Sequence, residues 1–133
     1  MSLKPKKSQT LPEPINRKDE LRGPWGRINP EPHSVVALRL CKGSGNSEET
    51  TSYPYRVLSS WLWRNNHDQE ELRIEAGPDV IIVQGHGLAR VVDALDRGML
   101  EILHEVPGET PPREIGAIWI SNITVAKGRP LEE

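Results

Sequence analysis

The sequence predicts a single α+β domain in which five or six mostly antiparallel strands carry one main helix on one face, in the order β-β-β-β-α-β-β. Two observations predict this class. Short segments that alternate apolar and polar residues, typical of antiparallel strands, fill much of residues 34–127. Only residues 88–97 place apolar side chains at helical spacing. We therefore place the domain at residues 34–127, between an N-terminal segment, residues 1–33, and a C-terminal tail, residues 128–133.

The first two predicted strands are residues 35–41 and residues 53–64. The first alternates an apolar face with a mixed face, and the second places two Tyr and two Trp in one column. The pair Ser59-Ser60 in the middle of the second strand predicts a bend or bulge. Between the strands, the polar and glycine-rich residues 42–51 predict a mobile hairpin loop, and they lack the ending of a phosphate-binding loop.

The next two predicted strands flank a tight turn. Residues 72–76 alternate apolar and charged side chains, which predicts one buried and one solvated face. A Gly-Pro-Asp turn follows at residues 77–79. Residues 80–83 are apolar on both faces, which predicts a central strand covered on two sides.

A helix is predicted at residues 88–97 because its apolar side chains recur at positions i, i+3, i+4 and i+7. Gly98 follows where a left-handed residue would end the helix. Strands at residues 99–106 and 115–126 complete the domain. The strand-helix-strand step leaves two arrangements open: its strands pair in parallel, or another strand separates them.

The N-terminal segment differs in composition from the rest of the chain. Residues 1–33 hold six of the twelve prolines, and seven Lys or Arg against four acids, a net charge of +3 in a chain of net charge −2. Such a segment buries little apolar surface to offset the entropy of ordering it, so we expect a basic, extended or disordered arm. Docking of Leu21, Trp25 and Ile28 on the domain or on a neighbouring subunit remains open.

Composition also excludes several classes of protein. The single cysteine, Cys41, rules out an internal disulfide and fits a reducing compartment, so we expect a cytoplasmic protein. No apolar run approaches the length of a membrane span, and we expect no membrane partner.

The four histidines show no metal-ligand spacing, so we expect no metal and no cofactor. His104 is expected on the inward face of its strand. The chain has few aromatic residues and no Phe, so we expect the core to rest mainly on Val, Ile and Leu.

One segment could bind a ligand, the strand-to-helix junction at Gly85, His86 and Gly87. With Arg90 it resembles the start of a dinucleotide fingerprint, but Arg90 stands where that fingerprint needs a small residue. The simpler interpretation is that the glycines permit a sharp turn. The functional one is that free N–H groups at the helix start bind an anion together with His86.

Three of the four tryptophans are the candidates for partner binding: Trp25 in the arm, and Trp61 and Trp63 in the aromatic column. The column is expected to be core, and the alternative is an exposed platform for a protein or for single-stranded nucleic acid. Binding of nucleic acid to this platform would need nearby Lys or Arg, and the column has almost none. A protein is therefore the preferred partner, and nucleic acid is the second choice.

From these patterns we expect a small non-catalytic interaction or assembly module that associates with itself or with a protein partner. No spacing of residues indicates a catalytic site. The first alternative is a nucleic-acid-associated protein that uses the basic arm, whose binding would weaken steeply with salt. The second is a binder of a small anion or ligand, or an enzyme, centred on Gly85-His86-Gly87.

Overall fold

The computed structural model describes residues 21–43, 47–66, 68–106 and 117–128. Within these ranges the chain is mostly β, with one short α-helix. The expectation of a single sheet with a helix on one face is wrong, because the strands divide between two sheets.

The elements are named here in chain order. They are β1 (Arg22–Gly23), β2 (Gly26–Ile28), β3 (Ala37–Lys42), β4 (Glu49–Pro54), a 3-10 turn (Tyr55–Val57), β5 (Leu58–Asn65), β6 (Glu70–Ala76), β7 (Asp79–His86), α1 (Leu88–Asp96), β8 (Leu100–His104) and β9 (Trp119–Ala126). Residues 44–46 of the predicted loop and residues 115–116 of the last predicted strand lie outside the described ranges.

The five-strand sheet has the order β1-β2-β8-β3-β4. Its central pair, β3 and β8, is parallel, and every other pair in it is antiparallel. The four-strand sheet has the order β9-β7-β6-β5 and is antiparallel throughout. The connection between β7 and β8 runs through α1 from one sheet to the other. The two strands of this step therefore follow neither of the arrangements that the sequence left open.

The predicted strand at residues 53–64 is two strands in different sheets. β4 ends at Pro54, which has no N–H to continue a ladder, and the 3-10 turn at Tyr55–Val57 carries the chain into β5. The register with β6 shifts between Leu58 and Ser60, which confirms the predicted irregularity. The aromatic column is consequently split, with its tyrosines before and at the turn and its tryptophans after it.

The helix agrees with its prediction to within one residue. Gly87 precedes it with φ of 70°, and Gly98 follows it with φ of 67°, a left-handed conformation that favours glycine at a helix end. Its apolar stripe is buried, in agreement with the periodicity. No helix in the described ranges has the length and apolar character needed to cross a membrane.

The core lies between the inner faces of the two sheets and α1. Trp25 and Tyr53 belong to this core, but its largest fully buried side chains are aliphatic: Leu38, Leu72, Ile74, Ile81, Val83, Leu88, Val91, Leu95, Leu100, Leu103, Ile120 and Ile123. At roughly 1.5–3 kcal/mol for each such side chain, this burial is the main favourable contribution to folding.

The described part of the N-terminal segment belongs to the five-strand sheet. β1 and β2 form a hairpin at its edge, and β2 pairs with β8. Trp25 and Ile28 are each only 6% exposed, so these side chains dock on the domain. Residues 1–20 lie outside the described ranges, and the predicted boundary at residue 33 stays a prediction.

Candidate functional site

The predicted ligand site lies at the junction of β7 and α1, where a carboxylate of the chain occupies the helix start. Oε2 of Glu70 accepts a hydrogen bond from the N–H of Gly87 at 3.1 Å, and Oε1 accepts one from the N–H of Leu88 at 2.8 Å. The indole N–H of Trp63 also donates to Oε1, at 3.0 Å. A negative charge at a helix N-terminus is favourable. An external anion would have to displace Glu70 to reach these donors.

The other residues of the predicted site have packing partners. The ring of His86 stacks on Trp119, with centroids 5.4 Å apart and planes 15° from parallel. Gly85 is buried against the backbone of Trp119, where a side chain has no room. Arg90 is half-buried on α1. Ligand binding by Gly85, His86, Gly87 and Arg90 stays a prediction. Sequence reasoning missed Glu70 because it lies a whole hairpin before the helix that it caps.

The structure separates the three candidate tryptophans. Trp25 lies in the turn between β1 and β2 and is buried in the core, whereas the other two lie in β5 of the other sheet. The indole N–H of Trp61 donates to Oδ1 of Asp96 at 2.8 Å, at the last residue of α1. Trp61 therefore bonds β5 to the last residue of α1, and Trp63 bonds it to Glu70, the carboxylate at the helix start. Trp63 is 40% exposed, and partner binding by these residues stays a prediction.

Strand β5 is an edge of the four-strand sheet and is open to solvent. Apart from Leu58, its side chains are exposed or half-buried. Leu62 is 51% exposed, which is unusual for a large apolar residue in a strand, and Arg64 is its only charged residue. An edge strand presents unpaired N–H and C=O groups that can pair with another strand.

The other three sheet edges carry features that discourage such pairing. β1 has two residues, β4 ends in Pro54, and β9 contains a register shift between Ile120 and Asn122. Short strands, prolines and bulges are the usual protections of an edge. β5 has its own register shift between Leu58 and Ser60, but its stretch without a shift or a proline, residues 60–65, is the longest of the four edges. Of the edges in the described ranges, β5 is therefore the best suited to accept another strand.

A second group of polar residues lies on the outer face of the five-strand sheet, the face away from the core. The registers pair Cys41 with His104 on β8 and with Thr50 on β4, so the three side chains form one row across adjacent strands. His104 lies on this outer face and not on the predicted inward one, because its neighbour Leu103 pairs with Leu40 in the core. Glu48 precedes β4 beside the row.

The donor atoms of Cys41, Glu48 and His104 all lie within 4.8 Å of one another, and we call these residues the Cys41 cluster. Nε2 of His104 is 3.1 Å from Oε2 of Glu48, and Nδ1 is 2.9 Å from the carbonyl oxygen of Glu105. The hydroxyl of Thr50 donates to Sγ of Cys41 at 3.9 Å. Sequence spacing could not show this cluster because it depends on the parallel pairing of β3 with β8.

Glu105 anchors the end of β8 beside this cluster. It is only 6% exposed and accepts hydrogen bonds from the N–H of Ile123 at 2.7 Å, from the N–H of Gly43 at 3.1 Å and from Nζ of Lys42 at 3.1 Å. Burial raises the pKa of Glu105, but these donors together outweigh it, so its pKa lies below the usual value. A buried, ionised carboxylate with three donors is a fixed structural group.

The same outer face carries an open groove of about 250 Å³ beside Val36, Arg39 and Glu101. Glu101 is held by Arg27, whose Nε lies 3.4 Å from Oε1. The groove therefore presents one charge of each sign and an apolar rim, which favours no ligand class.

Three features of the described residues can thus support a function: the carboxylate-bound start of α1, the exposed edge of β5 and the Cys41 cluster. No match to the chain was found among protein-family models, curated proteins or solved structures.

Proposed function

We propose that the chain is a small assembly module that associates with a second copy of itself along β5. The observation that supports this is the exposed edge of β5, which is uninterrupted over residues 60–65 and has Leu62 half-exposed within it. Pairing of an edge strand with a strand from another chain is a common mode of association. Two copies of β5 in antiparallel register would join two four-strand sheets into one continuous sheet.

The side chains of β5 suit a second copy as the occupant. When two identical antiparallel strands pair about Leu62, the two Leu62 side chains face each other across the twofold axis, and Trp61 faces Trp63 of the second copy. Aromatic cross-strand pairs contribute roughly 0.2–1 kcal/mol each. Arg64 then faces Ser60, so no like charges meet. The only charged residue of the strand therefore does not oppose the pairing.

Sedimentation velocity of the full chain over a range of concentrations tests this proposal. We expect a shift from the monomer mass of 14.9 kDa to twice that mass as the concentration rises. Leu62→Lys places two positive charges at the proposed axis and should give a monomer at all concentrations. The matched control is Val36→Lys, because Val36 is 82% exposed and lies outside β5.

Both variants should unfold at the same denaturant concentration as the wild-type monomer, since neither side chain is in the core. A wild-type chain that stays monomeric at the highest concentration would contradict the proposal. A dimer that persists in Leu62→Lys, or that Val36→Lys disrupts equally, would place the interface elsewhere and also contradict it.

A further inference from the structure

We infer that Cys41, Glu48 and His104 form a binding site for a divalent cation of the zinc type, on the sheet opposite the proposed assembly edge. The cluster offers one thiolate sulfur, one imidazole nitrogen and one carboxylate oxygen within 4.8 Å of one another. Zn²⁺ binds these three donor types at about 2.0–2.3 Å, so ligand atoms around one ion lie closer than about 4 Å, and small side-chain rotations close the set. A sulfur ligand excludes Mg²⁺ and Ca²⁺, which take oxygen ligands.

The surroundings of His104 support a cation between its ring and Glu48. Nδ1 faces the carbonyl oxygen of Glu105, and a neutral imidazole that donates there presents a lone pair at Nε2. In this tautomer the lone pair points at the carboxylate of Glu48, 3.1 Å away, and two acceptors face each other, whereas an imidazolium would donate to Glu48 instead. A cation between them removes this conflict. A backbone carbonyl that holds the second ring nitrogen is also the usual outer-shell arrangement of a zinc-binding histidine.

The sheet fixes two of the three ligands. Cys41 and His104 are paired residues of adjacent parallel strands, so the backbone sets their separation. The sulfur is buried and accepts the hydrogen bond of Thr50, whereas Glu48 is exposed and His104 half-exposed. The ion would therefore contact the buried sulfur on one side and solvent on the other. Three protein ligands leave the fourth tetrahedral position for water or for a small ligand.

The ammonium group of Lys42, the residue after Cys41, does not oppose the cation. Nζ of Lys42 is 3.1 Å from Oε2 of Glu105 and 2.7 Å from the carbonyl oxygen of Ile123. Lys42 follows Cys41 directly in β3, so its side chain leaves the sheet on the opposite face. Glu105 neutralises its charge there.

Titration of the reduced, untagged full chain with Zn²⁺ and with Co²⁺ tests this inference. We expect one ion per chain and, with Co²⁺, a charge-transfer absorption that requires a sulfur ligand. Cys41→Ser should abolish that absorption. His104→Gln and Glu48→Gln should weaken Zn²⁺ binding by more than about 10-fold, since even outer-shell partners of a metal are worth roughly 10–100-fold.

The matched control for Glu48→Gln is Glu49→Gln, the adjacent exposed acid, which should leave the affinity unchanged because β4 turns its side chain to the other face. Circular dichroism of each variant shows whether it folds. Absence of zinc binding in the reduced wild type would overturn the inference and leave His104 and Glu48 as an ion pair alone. Binding that survives both Cys41→Ser and His104→Gln would overturn it as well.

Discussion

The carboxylate of Glu105 accepts a hydrogen bond from the backbone N–H of Ile123 at 2.7 Å, and this contact joins the two sheets. Glu105 follows β8 in the five-strand sheet, whereas Ile123 lies in β9 of the four-strand sheet. The same carboxylate holds Lys42. A single buried acid therefore connects three strands at one end of the core.

Glu105→Gln should destabilise the fold by about 1–3 kcal/mol, because it weakens the bond to Ile123 and leaves the ammonium of Lys42 without its charged partner. Urea denaturation measures this free energy of unfolding. The control is Glu101→Gln in β8, whose ion pair with Arg27 is partly exposed and should be worth less than about 1 kcal/mol. Equal losses in the two variants would show that Glu105 has no special role.

Because of Glu105, the free energy of unfolding should also decrease as the pH falls into the acid range. Burial raises its pKa, and the bonds from Ile123, Lys42 and Gly43 lower it by more, so the pKa in the folded protein lies below the unfolded value of about 4.3. The stabilisation is then complete above the unfolded pKa and is lost as the pH falls through the folded pKa. Unfolding free energies measured from pH 6 downward should fall less in Glu105→Gln than in the wild type.

Glu70 should contribute to stability through the start of α1. Glu70→Ala removes the acceptor of the N–H groups of Gly87 and Leu88 and of the indole of Trp63, and loss of a helix cap typically costs about 1–2 kcal/mol. The control is Glu75→Ala, an exposed acid on the same strand. Faster amide exchange at Leu88 should accompany the loss. An unchanged unfolding midpoint would mean that water replaces the carboxylate at no cost.

Local patterns in the sequence predicted the local elements well. The period of two along β6, the apolar run in β7 and the helical period of α1 each predicted an element, and α1 lies within one residue of its predicted bounds, whereas β6 and β7 extend up to three residues beyond theirs. Gly98 ends the helix as predicted, because its left-handed φ is a local requirement.

The same patterns could not assign strands to sheets. Alternation shows that a strand has two faces, but it does not show which strand lies beside it. Pro54 was the local signal that residues 53–64 are not one strand, and the aromatic alternation across it concealed the break. The pairing of Cys41 with His104 joins residues that are far apart in the chain, so only tertiary structure brings this cluster together.

The hydroxyls of the two tyrosines should ionise at a higher pH in the folded protein than in the unfolded chain. Burial, followed by the hydrogen bond to Asp79, raises the pKa of Tyr53 to about 12. Burial also raises the pKa of Tyr55 to about 12, against a smaller opposite effect of its bond to the carbonyl of Leu100. The unfolded value is about 10, so the neutral tyrosines stabilise the fold fully below pH 10, and this contribution is lost as the pH rises towards 12.

Tyrosinate absorbance measures this directly, because the chain has no tyrosines other than these two. We expect little ionisation in the folded protein at pH 10 and half-ionisation at that pH in urea. Asp79→Asn should lower the midpoint of Tyr53 because it removes the neighbouring negative charge. One tyrosine that ionises near pH 10 in the folded wild type would contradict the burial of its hydroxyl.

Gly85→Ala should be the most damaging glycine substitution in the β7–α1 junction. A Cβ at this position would overlap the backbone carbonyl oxygen of Trp119 and lie 3.0 Å from Cα of Ile120, and neither backbone atom can move without shifting β9. Overpacking costs about 1–3 kcal/mol where side chains can adjust, so we expect about 3 kcal/mol here, measured by urea denaturation.

Gly77→Ala is the matched control, because Gly77 has open space around it and a φ of 62°. Its cost is the left-handed backbone alone, about 1 kcal/mol. The larger loss at Gly85 should come with a disturbed stack between His86 and Trp119, visible as a shift of the His86 ring resonances. If Gly85→Ala lowers the free energy of unfolding no more than Gly77→Ala does, β9 does not approach Gly85 closely. The glycine would then be needed only for the turn into α1.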